Sequence, residues 1–445
     1  MKADIQTVNA QFSARMQKLL GESDYKRYLA ALGEPPERIA RKNPLKSVSD
    51  ELIYSELGGY PMLPASAKPG KGALHAAGAY YVQEPAAAAV SRMIIPFVPE
   101  RANVLDMCAA PGGKTTALAA ARPDCRVLAN EIVFSRAKIL LSNIERMGLR
   151  NCTVTSLRPD EISRRGENLF DAVIADVPCS GEGMLRKTEF GSADLSDECV
   201  LACAARSQKI LDECDKCLRP GGVLLFSTCT FNLEENENRV FALMNEKGYE
   251  PIEPTERPAD SRSGFNLPQA VRFFPQDGGG EGHFACLLKK PDGIAPASKR
   301  QKSEKRNSNN KRVAAALDLC QKITLERFDP QRVIILGDGC EYISEDYPYY
   351  AFPALRRGMR MADFVNERAV PHHHFATAAN AELALFSPDY APDSPQIAAY
   401  LSGNEFDCNQ KDGFRILKVA SIPLGFIKIS NGAAKNKYPK GLRVF

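Results

Sequence analysis

The sequence predicts an α/β fold in which a doubly wound, mainly parallel sheet is flanked by a small N-terminal region and a C-terminal α+β domain. Apolar strand segments alternate with helical segments from residue 102 to residue 289, and polar or glycine-rich turns follow several of the strands. The 445 residues are enough for two or three domains with substantial cores. Ligands of such sheets bind at the carboxyl ends of the strands, so we expect the functional residues there.

The elements of the sheet follow from apolar periodicity and from the turn residues between them. A first strand leads into a turn at Pro111 and Gly112, and an Ala-rich helix begins at Thr115. The next predicted elements are the strand 126–130, the helix 135–147, the strands 152–155 and 171–176, the helix 194–218, the strand 223–227, the helix 234–247 and a closing hairpin of 270–274 with 283–289. The stop signal 219–222 (Arg-Pro-Gly-Gly) ends the longest helix.

Composition divides the chain into an N-terminal region (residues 1–75), the α/β domain (76–291), a basic linker (292–312) and a C-terminal domain (313–445). The N-terminal region begins with apolar residues at roughly helical spacing. The linker is rich in Asn and Ser and strongly basic, so it cannot build a core. Whether it is a solvated tether or a contact to RNA stays open.

Net charge is only +4 and hydrophobic content is 44%, which is ordinary for a soluble globular protein. The sequence shows no signal peptide and no long apolar span, and 13 cysteines without a secretory signal indicate reduced thiols. We therefore expect a cytoplasmic protein that does not enter a membrane. An anionic partner has to be met by local basic patches, such as the tail 434–443.

The stretch 104–116 predicts a strand, a tight turn and the start of a helix. Glycines let the backbone approach a ligand closely, and the first N–H groups of a helix present partial positive charge. A Walker A loop requires a glycine where this chain has Cys108, and the pattern G-x-G-x-x-G is absent because only Gly112 and Gly113 are available. The turn therefore indicates a ligand without a pyrophosphate.

An acidic residue ends the next strand. Residues 126–130 form that strand, and Glu131 follows it. In doubly wound folds an acid at this position accepts hydrogen bonds from ribose hydroxyls. Together with the glycine turn it suits an adenosyl ligand such as S-adenosyl-L-methionine. The alternative is an ordinary helix-capping loop beside a surface glutamate.

Two cysteines lie in turns that follow predicted strands. The turn 176–184 contains Asp176 and Cys179, and the turn 227–230 contains Cys229. Their spacing lacks CxxC pairs and histidines, so zinc is a poor explanation, whereas isolated cysteines at strand ends are candidate nucleophiles. The alternative is that both are small buried apolar residues. A proline and two glycines in the first turn favour a loop that binds a ligand.

A thiol and a methyl donor suggest one particular reaction on a pyrimidine. Carbon 5 of cytosine is a poor nucleophile, but addition of a thiolate at carbon 6 makes an adduct whose carbon 5 can take a methyl group. The adduct then loses the carbon 5 proton and eliminates the thiol, which a second group can assist. Asp176 is placed to hydrogen-bond the N3 and N4 edge of the base. These principles leave Cys179 and Cys229 equivalent.

The motifs resemble the RNA cytosine-5 methyltransferase family, the NOL1/NOP2/Sun group, and in particular its bacterial 16S ribosomal RNA branch. The combination of the two cysteine turns is the specific part of this resemblance, which covers most of the chain. The matching segments are 80–84, 108–114, 130–131, 176–183, 227–230, 234–236, 274–276, 423–425 and 437–439.

The resemblance implies a role for each site residue. Cys229 is the nucleophile that attacks carbon 6, Cys179 promotes release of the methylated base, and Asp176 also faces the cytosine. The residues implied to hold S-adenosyl-L-methionine are Cys108, Ala109, Ala110, Pro111, Gly112, Gly113, Lys114, Glu131 and Asp176. No metal is implied.

The resemblance also implies a Rossmann-like methyltransferase sheet dependent on S-adenosyl-L-methionine, an RRM-like N-terminal region and a PUA-like C-terminal domain. Both flanking parts are expected to bind RNA. The expected partner is 16S ribosomal RNA, free or within the small subunit, and the expected state is a monomer. Arg186 and Lys187 are expected to hold phosphates near the target base.

One position departs from the family pattern. Members of this branch often carry an acid after the third strand, but this chain has 156–158 (Ser-Leu-Arg) there, which leaves Asp160, Glu161 or a backbone carbonyl for the adenine amino group.

Two alternative functions stay open: an RNA-binding ribosome-assembly factor without turnover, and an enzyme of the same family acting on transfer RNA. Amino-group methylation of adenine is disfavoured because its Asn-Pro-Pro-aromatic turn is absent. The histidines 372–374 predict a loop, not a metal site.

Overall fold

The computed structural model of the 445-residue chain describes residues 10–56, 63, 69–186, 194–278, 280–293 and 310–444. Lys187, one of the two cations expected to hold phosphates, lies outside the described residues, and so does most of the basic linker. In the described part of the chain, every helix is too short or too polar to span a bilayer.

The α-helices of the described residues lie on both sides of a central sheet and in the flanking parts. They are α1 (Ala10–Leu20), α2 (Glu22–Leu32), α3 (Asp50–Glu56), α4 (Ala73–Ala76), α5 (Pro85–Met93), α6 (Gly113–Ala121), α7 (Phe134–Arg146), α8 (Pro159–Arg165), α9 (Asp197–Cys217), α10 (Glu237–Lys247), α11 (Lys311–Gln321), α12 (His373–Ala378) and α13 (Pro395–Ser402).

The strands form the central sheet, a small N-terminal ladder and two C-terminal sheets. They are β1 (Ile39–Lys42), β2 (Tyr80–Gln83), β3 (Asn103–Asp106), β4 (Arg126–Asn130), β5 (Cys152–Thr155), β6 (Phe170–Asp176), β7 (Leu218–Thr228), β8 (Glu250–Ile252), β9 (Arg262–Gly264), β10 (Leu267–Phe273), β11 (His283–Lys289), β12 (Val333–Leu336), β13 (Gly339–Tyr342), β14 (Met359–Val365), β15 (Arg368–Pro371), β16 (Asp389–Tyr390), β17 (Phe406–Asp407), β18 (Gly413–Val419), β19 (Ile422–Ser430) and β20 (Ala433–Asn436).

The central sheet has nine strands in the order β5-β4-β3-β6-β7-β11-β10-β9, with β8 paired to β11. The strands from β5 to β7 are parallel, and β11, β10 and β9 continue the sheet antiparallel. The predicted doubly wound α/β fold and its closing hairpin are confirmed. The strand order reverses between β3 and β6, which makes their carboxyl ends the switch point where ligands of such sheets bind.

Both faces of this sheet are buried. Val104 and Leu105 are neighbours on β3, yet each lies in a different apolar cluster, because alternate side chains of a strand point to opposite faces. Helices α5, α6 and α7 supply residues to the first cluster, and α8, α9 and α10 supply residues to the second. Because both faces of the sheet are buried, its parallel strands are nearly continuous apolar runs, which made them predictable from the sequence.

Two elements differ from the sequence prediction. The helical pattern of 11–32 is divided between α1 and α2 because Gly21 has a φ of +77°, which an uninterrupted right-handed helix does not allow. Strand β7 begins at Leu218, directly after α9, although 219–222 was predicted to be a turn only. Leu218 pairs with Phe170 and Val223 pairs with Ala172, so the register shifts within the predicted turn.

The N-terminal and C-terminal parts of the chain meet each other. Strand β1 pairs with β2, so a backbone ladder joins residues on either side of the boundary predicted at residue 75. Leu74 and Tyr80 lie in one apolar cluster with Tyr400, Leu424 and Tyr438. The two ends of the chain therefore share a core.

The C-terminal part also packs on the central sheet. It contains the antiparallel sheet β12-β13-β14-β15 and the sheet β16-β18-β19-β20-β17. The rings of Tyr349 and Phe170 stack with centroids 5.9 Å apart, and Val154 at the edge strand forms a backbone bridge with Arg356. The expected separate domain is thus in direct contact with the α/β core.

The loop predicted for the histidine run is wrong, because α12 begins at His373. His372 caps this helix by accepting a hydrogen bond from the backbone N–H of His374, a capping role usually filled by Ser, Thr, Asp or Asn. The His374 ring is buried, with Nε2 3.0 Å from the Leu149 carbonyl. Among the described residues no group of three His, Cys, Asp or Glu side chains could hold a metal ion.

A buried ion pair joins β10 to α10. Arg272 and Glu237 are each 1% exposed, and the Arg272 Nε lies 2.7 Å from Glu237 Oε1. Arg272 also donates to the Phe231 carbonyl at 2.7 Å, and Glu237 accepts from the Phe265 N–H. Removal of the cation alone would leave a buried carboxylate without its charge partner.

We expect Arg272→Met to lower the free energy of unfolding by about 3–5 kcal/mol, as is typical when one partner of a buried pair is removed. Urea unfolding followed by circular dichroism measures the change. The control Lys289→Met breaks an exposed pair with Asp292 and should cost no more than about 1 kcal/mol. Equal losses in the two variants would contradict a special role for the buried pair.

Candidate active site

The carboxyl ends of β3, β4, β6 and β7 bring the predicted site residues to one edge of the sheet. Cys108–Lys114 follow β3, Glu131 follows β4, and Asp176 is the last residue of β6 with Cys179 in the turn beyond it. Cys229 directly follows β7. The two cysteine turns therefore leave neighbouring parallel strands on the same side of the switch point.

The turn after β3 approaches its surroundings closely. Gly112 has a φ of +112° and precedes α6, a conformation that a residue with a Cβ rarely adopts. A Cβ on Gly113 would lie 2.7 Å from the side-chain nitrogen of Gln83. Helix α6 therefore begins at a tightly packed glycine turn, and the first N–H groups of a helix suit a polar ligand.

Asp106 is a site residue that the sequence prediction missed. It ends β3, is buried, and accepts a hydrogen bond from Thr115 Oγ1 at 2.6 Å, whereas its Oδ1 atom has no partner among the described residues. Burial raises the pKa of Asp106 to about 7, although the bond from Thr115 works against it. The sequence signal that could have identified Asp106 is an acidic residue at the last position of the strand before the glycine turn.

Glu131 is only 3% exposed, so it is not the surface glutamate of the alternative interpretation. Its Oε1 accepts from the Val133 N–H at 3.0 Å, and Oε2 lies 3.5 Å from Arg136. Arg136 also donates to the Ala110 carbonyl at 2.9 Å, which ties the end of β4 to the glycine turn. The carboxylate is thereby held beside that turn.

Asp176 joins three elements of the site. Its Oδ2 lies 2.8 Å from the Nζ of Lys114 at the start of α6, and its Oδ1 accepts from Ser227 Oγ at the end of β7 at 2.7 Å. Burial opposes the charged form, but Lys114 and His283 outweigh it and hold the pKa of Asp176 below its usual value. The side chain is still 36% exposed, so this carboxylate can meet a substrate.

The two thiols are in contact. Cys179 Sγ lies 3.2 Å from Cys229 Sγ, and the Cys229 N–H donates to Cys179 Sγ at 3.4 Å. The hydrogen bond to Cys229, burial and the charge of Glu235 raise the pKa of Cys179 well above that of an ordinary thiol. The two turns thus bring Cys179 and Cys229 together as one pair of thiols.

A polar network fixes the two cysteine turns to each other. Ser180 Oγ contacts Thr230 Oγ1 at 2.8 Å, and its N–H donates to Glu235 at 2.9 Å. The Gly183 N–H donates to the Cys229 carbonyl at 2.9 Å, and a Cβ on Gly183 would lie 2.5 Å from the Gly282 carbonyl oxygen. Local sequence patterns do not predict this network, because partners such as Ser180 and Thr230 are 50 residues apart in the chain.

The phosphate-binding role predicted for Arg186 is wrong. Its guanidinium is buried, donates to Glu281 at 3.1 Å and to the Gly280 carbonyl at 2.6 Å, and so supports the site from within. The candidates for the adenine amino group are also engaged. Asp160 pairs with Arg158, and Glu161 accepts from the Arg158 backbone N–H.

Three family models match successive parts of the chain. Residues 8–85 match the N-terminal domain of 16S rRNA methyltransferase RsmF, residues 95–289 match 16S rRNA methyltransferase RsmB/F, and residues 387–444 match the methyltransferase RsmF PUA domain. With the switch-point site, these matches define the protein as an RNA methyltransferase. More narrowly, the chain belongs to the RsmB/F family of 16S rRNA methyltransferases and has the flanking domains of the RsmF type.

Individual relatives agree with this family. The chain is 29% identical to ribosomal RNA small subunit methyltransferase F of Klebsiella pneumoniae, over 97% of this chain and 95% of the relative. It is 35% identical to the protein of the same name from Citrobacter koseri, over 60% of each chain. The crystal structure of NSun6 from Pyrococcus horikoshii with SFG has a TM-score of 0.56 at 19% identity, covering 65% of this chain and 100% of that one, and supports the fold.

Proposed function

We propose that this protein transfers a methyl group from S-adenosyl-L-methionine to carbon 5 of a cytosine in 16S ribosomal RNA. The observation that carries the proposal is the contact of Cys179 and Cys229, 3.2 Å apart between the sulfur atoms, on neighbouring strands beside Asp176. Chance burial of apolar cysteines would not place two thiols together at a switch point with a partly exposed carboxylate.

The residues around the turn after β3 fit the cofactor. Glu131 offers a carboxylate to ribose hydroxyls, and the unpartnered Oδ1 of Asp106 suits the ammonium group of the methionine half. The Cys108–Lys114 turn leads into α6, whose first backbone N–H groups have no carbonyl partner within the helix and suit a polar ligand. S-adenosyl-L-methionine, when bound here, supplies a methyl group that is susceptible to nucleophilic attack.

Cys229 acts as the nucleophile. Its thiolate forms a bond to carbon 6 of the cytosine, the electron pair of the 5,6 double bond moves to carbon 5, and carbon 5 accepts the methyl group. The Asp176 carboxylate accepts a hydrogen bond from the N4 amino group of the base and so orients the base for addition. Loss of the carbon 5 proton then restores the double bond, the sulfur–carbon 6 bond breaks, and the Cys229 thiolate is regenerated.

Cys179 assists the release. Its sulfur lies 3.2 Å from the Cys229 sulfur, which becomes bonded to carbon 6, so Cys179 is close to the carbon 5 proton of the adduct. Cys179 gives its thiol proton to solvent and, as the thiolate, takes the carbon 5 proton as a base.

The support for 16S ribosomal RNA is the family and the names of the relatives. The test is methyl transfer from radiolabelled S-adenosyl-L-methionine to small-subunit particles, free 16S RNA and transfer RNA, followed by nucleoside analysis. We expect label in 5-methylcytidine from 16S RNA. Label in transfer RNA would contradict 16S RNA as the substrate, and label in methyladenosine would contradict methylation of cytosine. Cofactor binding without any label would favour an assembly factor.

A further inference from the structure

The helices α1 and α2 pack against the turns that carry the site cysteines. Phe12 and Tyr28 lie in one apolar cluster with Leu185, Phe231 and Phe274. The Tyr28 ring meets Phe231 edge-on at 5.5 Å, and Phe231 stacks on Phe274 at 5.3 Å. Phe231 is two residues beyond Cys229, so this helix pair lies next to the segment that carries the proposed nucleophile.

One side chain of this helix pair reaches into the polar network of the site. Arg15 on α1 donates to Glu182 Oε1 at 2.9 Å and to the Leu195 carbonyl at 2.8 Å, and it also pairs with Asp197. Glu182 is 1% exposed. Among the residues that the structure describes, Arg15 is the cation within ion-pair distance of this buried carboxylate.

The other oxygen of Glu182 holds the chain directly after Cys229. Oε2 accepts from Thr230 Oγ1 at 2.7 Å, from the Phe231 N–H at 3.0 Å and from the Asn232 N–H at 2.9 Å. The residue after Glu182 is Gly183, whose N–H donates to the Cys229 carbonyl. One carboxylate therefore fixes the backbone on the C-terminal side of Cys229, and its neighbour holds the carbonyl of Cys229 itself.

We propose that Arg15 is a positioning residue for Cys229, acting through Glu182. The proposal rests on the proposed function, since it takes Cys229 as the nucleophile. Arg15 supplies the charge that a buried carboxylate needs, and Glu182 in turn keeps the Cys229 segment in one arrangement. The N-terminal helix pair is then a part of the methyl-transfer site as well as a flanking element.

The physical reason is the sensitivity of addition reactions to geometry. A thiolate attacks carbon 6 from one side of the base, and a displacement of about 1 Å at a reacting group can lower a rate roughly 100-fold. Removal of Arg15 leaves Glu182 buried without a cation. The carboxylate that accepts hydrogen bonds from the Thr230–Asn232 segment is then no longer held in place by an ion pair. Among the described residues, Arg15 forms its hydrogen bonds and ion pairs with Glu182, Leu195 and Asp197 and not with the turn after β3, so binding of S-adenosyl-L-methionine should be unaffected.

The experiment compares full-length variants in single-turnover methyl transfer to the accepted RNA, at saturating RNA and S-adenosyl-L-methionine. Arg15→Ala should slow the transfer roughly 10- to 100-fold with the dissociation constant of S-adenosyl-L-methionine unchanged. Arg15→Lys keeps one donor to Glu182 and should recover part of the rate. The control Arg27→Ala removes an arginine of the same helix pair, which contacts Asp24 and the Gln276 carbonyl, and should keep the parent rate.

A second readout follows the adduct directly. RNA transcribed with 5-fluorocytidine carries a fluorine that cannot leave as a proton, so the bond from Cys229 to carbon 6 persists and its formation rate can be followed on denaturing gels. Arg15→Ala should form this adduct more slowly than the parent by the same factor as methyl transfer. If the parent forms no adduct, the covalent route fails, and the methyl-transfer rates still decide the role of Arg15.

Two results would overturn the positioning role. One is a parent-like rate of methyl transfer in Arg15→Ala. The other is a loss of cofactor affinity in Arg15→Ala that accounts for the slower transfer, or a loss of equal size in Arg27→Ala, because either would mean that the helix pair contributes only general stability.

Discussion

Replacement of Cys229 by alanine is expected to abolish methyl transfer to RNA while binding of S-adenosyl-L-methionine stays within about twofold of the parent. Alanine cannot add to carbon 6, and without that addition carbon 5 of cytosine is too weak a nucleophile. The Cys229 side chain contacts Cys179, whereas Glu131 and the glycine turn are held by other residues. Radiolabel transfer and equilibrium dialysis of the cofactor measure the two quantities.

A matched control for this variant is Cys125→Ala. Cys125 is also a free thiol, but it lies just before the amino end of β4, whereas the site residues lie at the carboxyl ends of the strands. We expect this variant to transfer methyl groups at the parent rate. An active Cys229→Ala variant would contradict the nucleophile assignment, and it would direct attention to Cys179 as the residue that adds to the base.

Replacement of Cys179 by alanine is expected to leave the protein joined to its RNA. The bond from Cys229 to carbon 6 can still form and carbon 5 can still be methylated, but the proposed base that removes the carbon 5 proton is absent. We expect a protein–RNA species on denaturing gels that the parent does not accumulate, together with loss of multiple turnover.

The double variant Cys179→Ala/Cys229→Ala provides the control, since it should form no such species. A Cys179→Ala variant that turns over normally would show that another group, such as Asp176 or water, removes the proton.

The sequence was a good guide to the sheet because parallel strands are buried on both faces. Strands β4 and β5 have the predicted bounds, since β4 contains an apolar run and β5 is rich in β-branched residues, each between polar turns. The positions of Asp176, Cys179 and Cys229 at strand ends follow from the same pattern. Their mutual distances do not, because they depend on which strands are neighbours and on the twist of the sheet.

Contacts between residues far apart in the sequence explain the features of the site that the sequence did not predict. Arg186 was expected at RNA phosphates, but Glu281, 95 residues away, neutralises it in the interior. Arg15 and Glu182 are 167 residues apart, and no local pattern marks them as partners. The amphipathic pattern of the N-terminal helices indicates a buried face without indicating what covers it. The residues that cover it are Leu185 and Phe231, directly after the two cysteine turns, together with Leu195 and Phe274.

The apolar core shared by the two ends of the chain has a consequence for synthesis on the ribosome. Leu74 and Tyr80 are synthesised well before Leu424 and Tyr438, which pack against them. Domains usually fold as they leave the ribosome, N-terminal part first. Here the earlier segment cannot complete its core until the later segment has also left the ribosome, so the nascent protein exposes an apolar face during that interval.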